Sequence, residues 1–342
     1  MTLKLVSLGL RDHLDLSLRA IEEIKYSDKV YLESYTMKLD TSAEQLEEIT
    51  GKRVSILERG AMEEGASKLL GEAAVQDVSI LVGGDALSAT THVSLLIDAK
   101  KLGIETKVIH GASILTAIAE TGLSIYKFGR TVTVPLPQKG PVDTVIRTLR
   151  ENREHGLHTL LLLDLNIPSG EYLTVTQALM RLIDTDEFPP TTLAIGLARL
   201  GGEDQIIKAD EAARLINHSW GDAPHAIVVP GRLHFLEEEA LKVLADCPPE
   251  LLEGRLVMGD VERLIDKYSR SCRKVLDTMK LRDFPAEIEE DKVKDLLDHT
   301  ERYLSDAQYY WGENNPVALT SVAYAEGILD ALKLLGLADF QW

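Results

Sequence analysis

The chain has 342 residues, enough for two or three domains with hydrophobic cores of their own. Apolar residues make up 45% of it and charged residues 27%, which is the balance of a soluble globular protein. Its formal net charge of −18, from 55 acidic and 37 basic residues, argues against direct binding of nucleic acid or of an anionic membrane.

Cysteine usage and the first residues indicate the compartment. Cys247 and Cys272 are the only cysteines, which predicts a reducing environment and no disulfide framework. Residues 1–10 alternate like a strand and lack the basic-then-apolar layout of a signal peptide. Since no apolar run approaches the length that spans a bilayer, the predicted location is the cytoplasm.

The first part of the chain alternates predicted strands and helices. Apolar runs predict strands over residues 3–8, 29–35, 53–57, 78–82 and 106–109. Helical periodicity begins near Leu14 and recurs over residues 41–50, 93–102 and 113–120. This βαβα order predicts a parallel sheet with helices on both faces.

Residues 78–92 carry the clearest sign of a site. A buried strand ends in Gly83-Gly84, and Asp85 follows at the carboxyl end, where open α/β sheets bind ligands. A phosphate-binding loop would have a lysine here, whereas a carboxylate suits ribose hydroxyls, an ammonium group or a sulfonium. Ser88 and Thr90 are predicted to cap the helix that carries His92. The alternative interpretation is an ordinary strand-turn-helix corner.

A proline-rich stretch over residues 134–141 predicts a domain boundary, and a second α/β unit follows it. Its strands are predicted over residues 158–165, 191–197 and 225–229, and its helices over 143–153, 174–183, 211–216 and 236–244. From residue 261 glycine is sparse and helical stripes dominate, with Asn315 as predicted N-cap of the last helix. The predicted domains are therefore 1–133, 134–260 and 261–342.

Several motifs occur together in the first 260 residues. They are Ser7-Leu8-Gly9-Leu10, Gly84-Asp85-Ala86-Leu87-Ser88, Tyr126-Lys127-Phe128-Gly129, Gly156-Leu157-His158 and Pro224-His225-Ala226-Ile227. This set closely resembles the archaeal diphthine synthases, a family of S-adenosylmethionine methyltransferases built like the tetrapyrrole methylases. The resemblance implies an α/β fold of two tetrapyrrole-methylase-type domains, with the cofactor in the cleft between them. Residues 261–342 resemble a small all-α archaeal domain of unknown function.

The resemblance also implies an activity. Family members transfer methyl groups from S-adenosylmethionine to the amino group of a modified histidine in translation elongation factor 2, giving diphthine in diphthamide biosynthesis. They are usually homodimers. The family's cofactor-binding positions correspond here to Leu10, Asp85, Ser88, Ser113, Ile114, Leu163, Leu200 and His225.

The residues themselves agree with such chemistry. Methyl transfer from a sulfonium is an in-line displacement that depends mainly on positioning, so no triad, metal cluster or phosphate loop is required. The sequence assigns no catalytic residue or general base. His155 and His158 have a metal-like spacing without a partner cluster, so no metal site is predicted. For His225, a cofactor contact and a satisfied histidine at a strand entrance both remain open.

Two other functions compete with this one. A sister enzyme acting on a corrin-type tetrapyrrole would share the fold, although the Tyr126–Gly129 and Pro224-His225 motifs favour the protein substrate. A non-catalytic scaffold could retain the fold and work through its helical C-terminal part. A dinucleotide-dependent dehydrogenase is disfavoured because no strand is followed by GxGxxG with an acidic residue further on.

Overall fold

The structure is a computed structural model that describes residues 1–63, 66–252, 258–282, 285, 288–311 and 314–342. The chain divides into two compact units, Met1–Leu252 and Glu253–Trp342. The first unit contains two five-stranded sheets, and the second is helical. The predicted division at residues 133 and 260 remains a proposal.

The first sheet is wholly parallel, as predicted. Its strands are β1 (Thr2–Ser7), β2 (Lys29–Glu33), β3 (Val54–Leu57), β4 (Val78–Val82) and β5 (Glu105–Ile109). They lie in the order β3-β2-β4-β1-β5. The helices of this part are α1 (Leu18–Lys25), α2 (Ala43–Thr50), α3 (Arg59–Glu63), α4 (Ala66–Ala73), α5 (Val93–Lys101) and α6 (Ile114–Ala117).

Burial on both faces explains why the central strands are continuous apolar runs. In β4, Ile80 and Val82 pack into one hydrophobic core, and Leu81 packs into the core on the opposite face. Strand β1 repeats this alternation with Leu5 and Val6. The sheet is therefore the middle layer of three, and its strands end together at one edge.

The second sheet is mixed. Its strands are β6 (Val132–Val134), β7 (Thr159–Leu163), β10 (Leu193–Ala198), β11 (Ile206–Glu211) and β12 (His225–Val229), and the short pair β8 (Leu165–Asn166) and β9 (Glu171–Tyr172) lies apart from it. The order is β11-β10-β12-β7-β6, and β6–β7 is its one parallel pairing. The helices are α7 (Asp143–Glu154), α8 (Val175–Ile183), α9 (Ala212–Leu215) and α10 (Phe235–Leu244). The sequence did not predict β6 or β11.

The described residues of the second unit form three helices, α11 (Met258–Thr278), α12 (Glu290–Tyr309) and α13 (Asn315–Leu334). A short antiparallel pair, β13 (Lys280–Leu281) and β14 (Ala338–Asp339), accompanies them. The predicted N-cap is wrong by one residue, because Asn314 caps α13 by accepting a hydrogen bond from the Val317 N–H at 3.4 Å. Among the helices that the structure describes, none combines the length and apolarity needed to cross a membrane.

Candidate active site

A cavity of about 410 Å³ lies in the first unit, where the carboxyl ends of β1, β2, β4 and β5 face residues of the second sheet. This volume is within the usual range for small-molecule sites. The lining includes all eight residues singled out from the sequence: Leu10, Asp85, Ser88, Ser113, Ile114, Leu163, Leu200 and His225. The structure thus brings them together, and their role in binding a cofactor remains a prediction.

Glycines allow the loops after β1 and β4 to meet at the floor of the cavity. Gly9 and Gly84 exchange two backbone hydrogen bonds of 3.2 and 2.7 Å. Both have positive φ, +86° and +69°, which favours glycine. A Cβ on Gly83 would lie 3.0 Å from the Cβ of Met37, in the loop after β2. The predicted Gly83–Asp85 corner is therefore a point of close backbone approach.

Asp85 is buried and held by several donors. Its Oδ2 accepts hydrogen bonds from His110 Nδ1 at 2.8 Å and from the Gly111 N–H at 3.3 Å. Its Oδ1 accepts from the Leu87 N–H at 3.0 Å and from Ser88 Oγ at 3.3 Å. Burial alone would raise the pKa of Asp85, but the bonds from Leu87, His110 and Gly111 outweigh it and lower the pKa below its ordinary value. The carboxylate is therefore anionic at neutral pH.

Helices α5 and α6 begin in different ways. The prediction for Ser88 and Thr90 is wrong, because Ser88 bonds Asp85 and Thr90 Oγ1 donates to the Ala86 carbonyl at 2.7 Å. Helix α5 begins after His92 without a side-chain cap. At the start of α6, Ser113 is the N-cap, since its Oγ accepts from the Leu115 N–H at 3.2 Å.

His225 presents an unused acceptor on the opposite wall. Its Nε2 lies 2.9 Å from the Asp222 carbonyl, so Nε2 carries a hydrogen. Its Nδ1 is buried and has no hydrogen-bond partner among the residues that the structure describes. Burial lowers the pKa of His225, the bond to Asp222 opposes this, and the nearby Arg199 charge adds to the lowering. The ring is therefore neutral, and Nδ1 offers a lone pair to a ligand.

Sequence reasoning missed several residues that shape the site. His110 follows β5 and binds the Asp85 carboxylate. In the sequence, only its place in the His-Gly-Ala-Ser stretch of residues 110–113, directly after a predicted strand, could have indicated this role. Glu33, at the end of β2, accepts hydrogen bonds from the Tyr35 N–H at 2.6 Å and the Thr36 N–H at 2.7 Å, and also binds the Thr36 hydroxyl. These bonds fix the segment that supplies Tyr35, Thr36 and Met37 to the cavity wall.

Other charged groups around the cavity are paired. Asp164 Oδ1 lies 2.9 Å from Lys139 Nζ, and Arg199 Nε lies 2.6 Å from Asp204 Oδ2. Asp85 instead takes its bonds from backbone N–H groups, a hydroxyl and an imidazole. No group of three or more histidine, cysteine, aspartate or glutamate side chains arranged to hold a metal ion occurs in the described part of the chain. The cavity thus suits a neutral or cationic organic ligand.

Fold and sequence define the class. The chain belongs to the tetrapyrrole (corrin/porphyrin) methylase family, which matches residues 2–216. This confirms the predicted fold class of two α/β parts followed by a helical part. Residues 267–338 match a family of proteins of unknown function.

Within that class, similar proteins are diphthine synthases. The one from Methanosarcina acetivorans is 40% identical over 264 residues, covering 73% of this chain and 98% of that protein. The one from Methanocaldococcus jannaschii is 38% identical over 252 residues, covering 71% and 98%. A crystal structure of a diphthine synthase matches with a TM-score of 0.70 at 39% identity, covering 73% of this chain and 98% of that one.

Proposed function

We propose that this protein is a diphthine synthase, an S-adenosylmethionine-dependent enzyme that methylates the amino group of a modified histidine in translation elongation factor 2. One observation carries the proposal: a chain about 40% identical to diphthine synthases along nearly their whole length has the eight expected residues on one cavity. We further infer a cytoplasmic, archaeal homodimer, by analogy with the family.

The residues that line the cavity support its assignment to the methyl donor. His225 Nδ1 is a buried acceptor that needs a donor such as an amino or hydroxyl group. Asp85 favours a cation or hydroxyl groups, and Leu10, Ile114, Leu163 and Leu200 supply apolar walls. When bound, the donor supplies a methyl group already activated by its positive sulfur.

The protein itself contributes by aligning the reacting groups and by burying them away from water. Burial of the amine away from the Asp85 carboxylate would favour its uncharged form, because burial without a partner charge lowers the pKa of an ammonium group. Holding the amine and the methyl carbon in line lowers the activation free energy, because their translational and rotational entropy is already lost on binding. In well-aligned systems this effect is worth up to about 7–11 kcal/mol. None of these contributions requires a side chain that forms a covalent bond to the substrate.

The direct test is mass spectrometry of elongation factor 2 that carries the modified but unmethylated histidine. Incubation with the enzyme and S-adenosylmethionine should add whole methyl groups to the peptide containing that histidine. His225→Ala should raise the KM for the donor about three- to tenfold, the usual worth of one hydrogen bond. His155→Ala, at the exposed C-cap of α7, is the matched control. Donor binding without any mass change of the factor would refute the proposed substrate.

One second candidate function is methylation of a tetrapyrrole. The name of the matched family favours it, because that family is described as corrin and porphyrin methylases. A precorrin-type tetrapyrrole offered in the same assay separates the two. Methylation of the tetrapyrrole but not of the factor would replace the proposal. Binding of the donor without methylation of either substrate would favour a scaffold.

A further inference from the structure

Two arginines from different sheets of the first unit meet at one carboxylate. Arg11 follows Leu10 in the loop after β1, and Arg199 directly follows β10 and precedes Leu200. Asp204 Oδ1 lies 3.0 Å from Arg11 Nη1, and its Oδ2 lies 2.6 Å from Arg199 Nε. One carboxylate therefore joins the loop of one sheet to the loop of the other.

Arg199 is held in an uncommon conformation. Its φ is +50°, a left-handed value that costs free energy for a residue with a side chain. The side chain is almost wholly buried, and its guanidinium donates to the Trp220 carbonyl at 2.7 Å, to the Asp204 carbonyl at 3.0 Å and to the Asp222 carbonyl. These contacts hold the backbone that delivers Leu200 to the cavity.

Arg11 is held by ion pairs and through its backbone. Its Nη2 lies 2.8 Å from Asp40 Oδ2, and the Leu10 and Arg11 N–H groups both donate to Asp15 Oδ2 at 2.8 Å. Gly202 packs against the guanidinium, since a Cβ there would lie 2.9 Å from Arg11 Nη1. The same loop backbone delivers Leu10 to the cavity.

We propose that Arg11, Asp204 and Arg199 form a clamp that fixes the position of Leu10 relative to Leu200 in the cavity wall, and so determines how tightly the methyl donor is held. Asp204 is a positioning residue in this scheme, because it acts through its two arginines. Only the identity of the ligand depends on the proposed function. The carboxylate is 55% exposed, so the clamp weakens as salt rises.

Two variants break the clamp by different routes in the full-length protein. Asp204→Asn removes the charge, and Gly202→Ala displaces the Arg11 guanidinium while it leaves every charge in place. Asp98→Asn is the control, because Asp98 forms an exposed ion pair of 3.2 Å with Lys101 on α5. Titration calorimetry with S-adenosylhomocysteine, at low and high salt, measures the affinity, and thermal melts report the fold.

The clamp predicts that both variants raise the Kd fivefold or more at low salt, with melting temperatures close to that of the wild type. Raising the salt should weaken the wild type more than Asp204→Asn, and Asp98→Asn should behave as the wild type. Unchanged affinity in both variants, or an affinity loss matched by loss of thermal stability, would overturn the clamp.

Failure of the wild type to bind S-adenosylhomocysteine would instead count against the proposed function. Amide hydrogen exchange of Leu10 and Leu200 then tests the clamp without a ligand. Faster exchange at both residues in both variants supports it, and unchanged exchange refutes it.

Discussion

Glu237 and Glu238 are neighbours in α10 whose carboxyl groups have opposite pKa shifts. Burial would raise the pKa of Glu237, but the Lys127 ammonium, the N–H groups of Ser124 and His234, and His158 all bind it and lower its pKa to about 2. Burial raises the pKa of Glu238, whose Oε1 has no partner in the described part of the chain. The ionised Glu237 carboxylate therefore stabilises the folded state, whereas the ionised Glu238 carboxylate destabilises it.

Glu237→Gln should therefore destabilise the protein at pH 7 by at most about 3 kcal/mol. Because the folded pKa lies below the unfolded one, this stabilisation is complete above about pH 4.5 and is lost as the pH falls towards about 2. Urea unfolding at several pH values measures the difference from the wild type, which should shrink through that window.

Glu238→Gln is the matched control, and the sign is opposite. Because its folded pKa is raised, the ionised wild-type side chain is unfavourable at pH 7, so the variant should gain stability there. That gain should disappear in acid, where the wild-type carboxyl is protonated. If the free energies of unfolding of the two variants depended on pH in the same way, the opposite roles assigned to Glu237 and Glu238 would be wrong.

At the scale of elements, Gly196 in β10 gives room to an aromatic ring. A Cβ there would lie 2.0 Å from Trp220 Cη2, and Trp220 is fixed by a hydrogen bond of 3.1 Å to the Leu215 carbonyl. Gly196→Ala should therefore destabilise the fold by about 1–3 kcal/mol or more, through overpacking. Gly71→Ala in α4 is the matched control, because the added Cβ meets open space, and it should stabilise the fold by about 0.5–1 kcal/mol.

Chemical denaturation measures the unfolding midpoints of the two variants. An unchanged midpoint for Gly196→Ala would show that Trp220 does not need the space that Gly196 leaves.

Sequence reasoning located elements best where both faces are buried. Strand β12 was predicted at its observed bounds, His225–Val229, because its apolar run has a clear start and end. Strand β11 was missed since this edge strand carries Lys208, Asp210 and Glu211 and lacks a buried pattern. Strand β6 was missed because it has three residues next to prolines, and only its pairing with β7 makes it a strand.

The site was predictable only through motifs. The alternation of strands and helices along the chain predicts a parallel sheet. Parallel strands end at one edge of the sheet, which explains why the residues after β1, β4 and β5 converge there. It does not reveal that Glu237 binds His158, 79 positions earlier, or that Asp204 joins Arg11 and Arg199. Such contacts depend on how distant loops pack, which local periodicity does not encode.

At the scale of the whole molecule, each unit has a hydrophobic core of its own residues. The diphthine synthase relatives are covered over 98% of their length by about three quarters of this chain. A variant ending at Leu252 should therefore fold and bind S-adenosylhomocysteine with a Kd within threefold of the full chain. Calorimetry measures this Kd, and circular dichroism checks folding. Loss of binding by a folded variant would assign the second unit a part in the site.

The most direct measurement is a crystal structure of the full chain with S-adenosylhomocysteine. We expect the molecule in the cavity between the two sheets of the first unit, against the Gly83–Asp85 corner, with His225 Nδ1 accepting a hydrogen bond from it. Density for the ligand at any other place, with this cavity filled by solvent alone, would show that the proposed cofactor site is wrong.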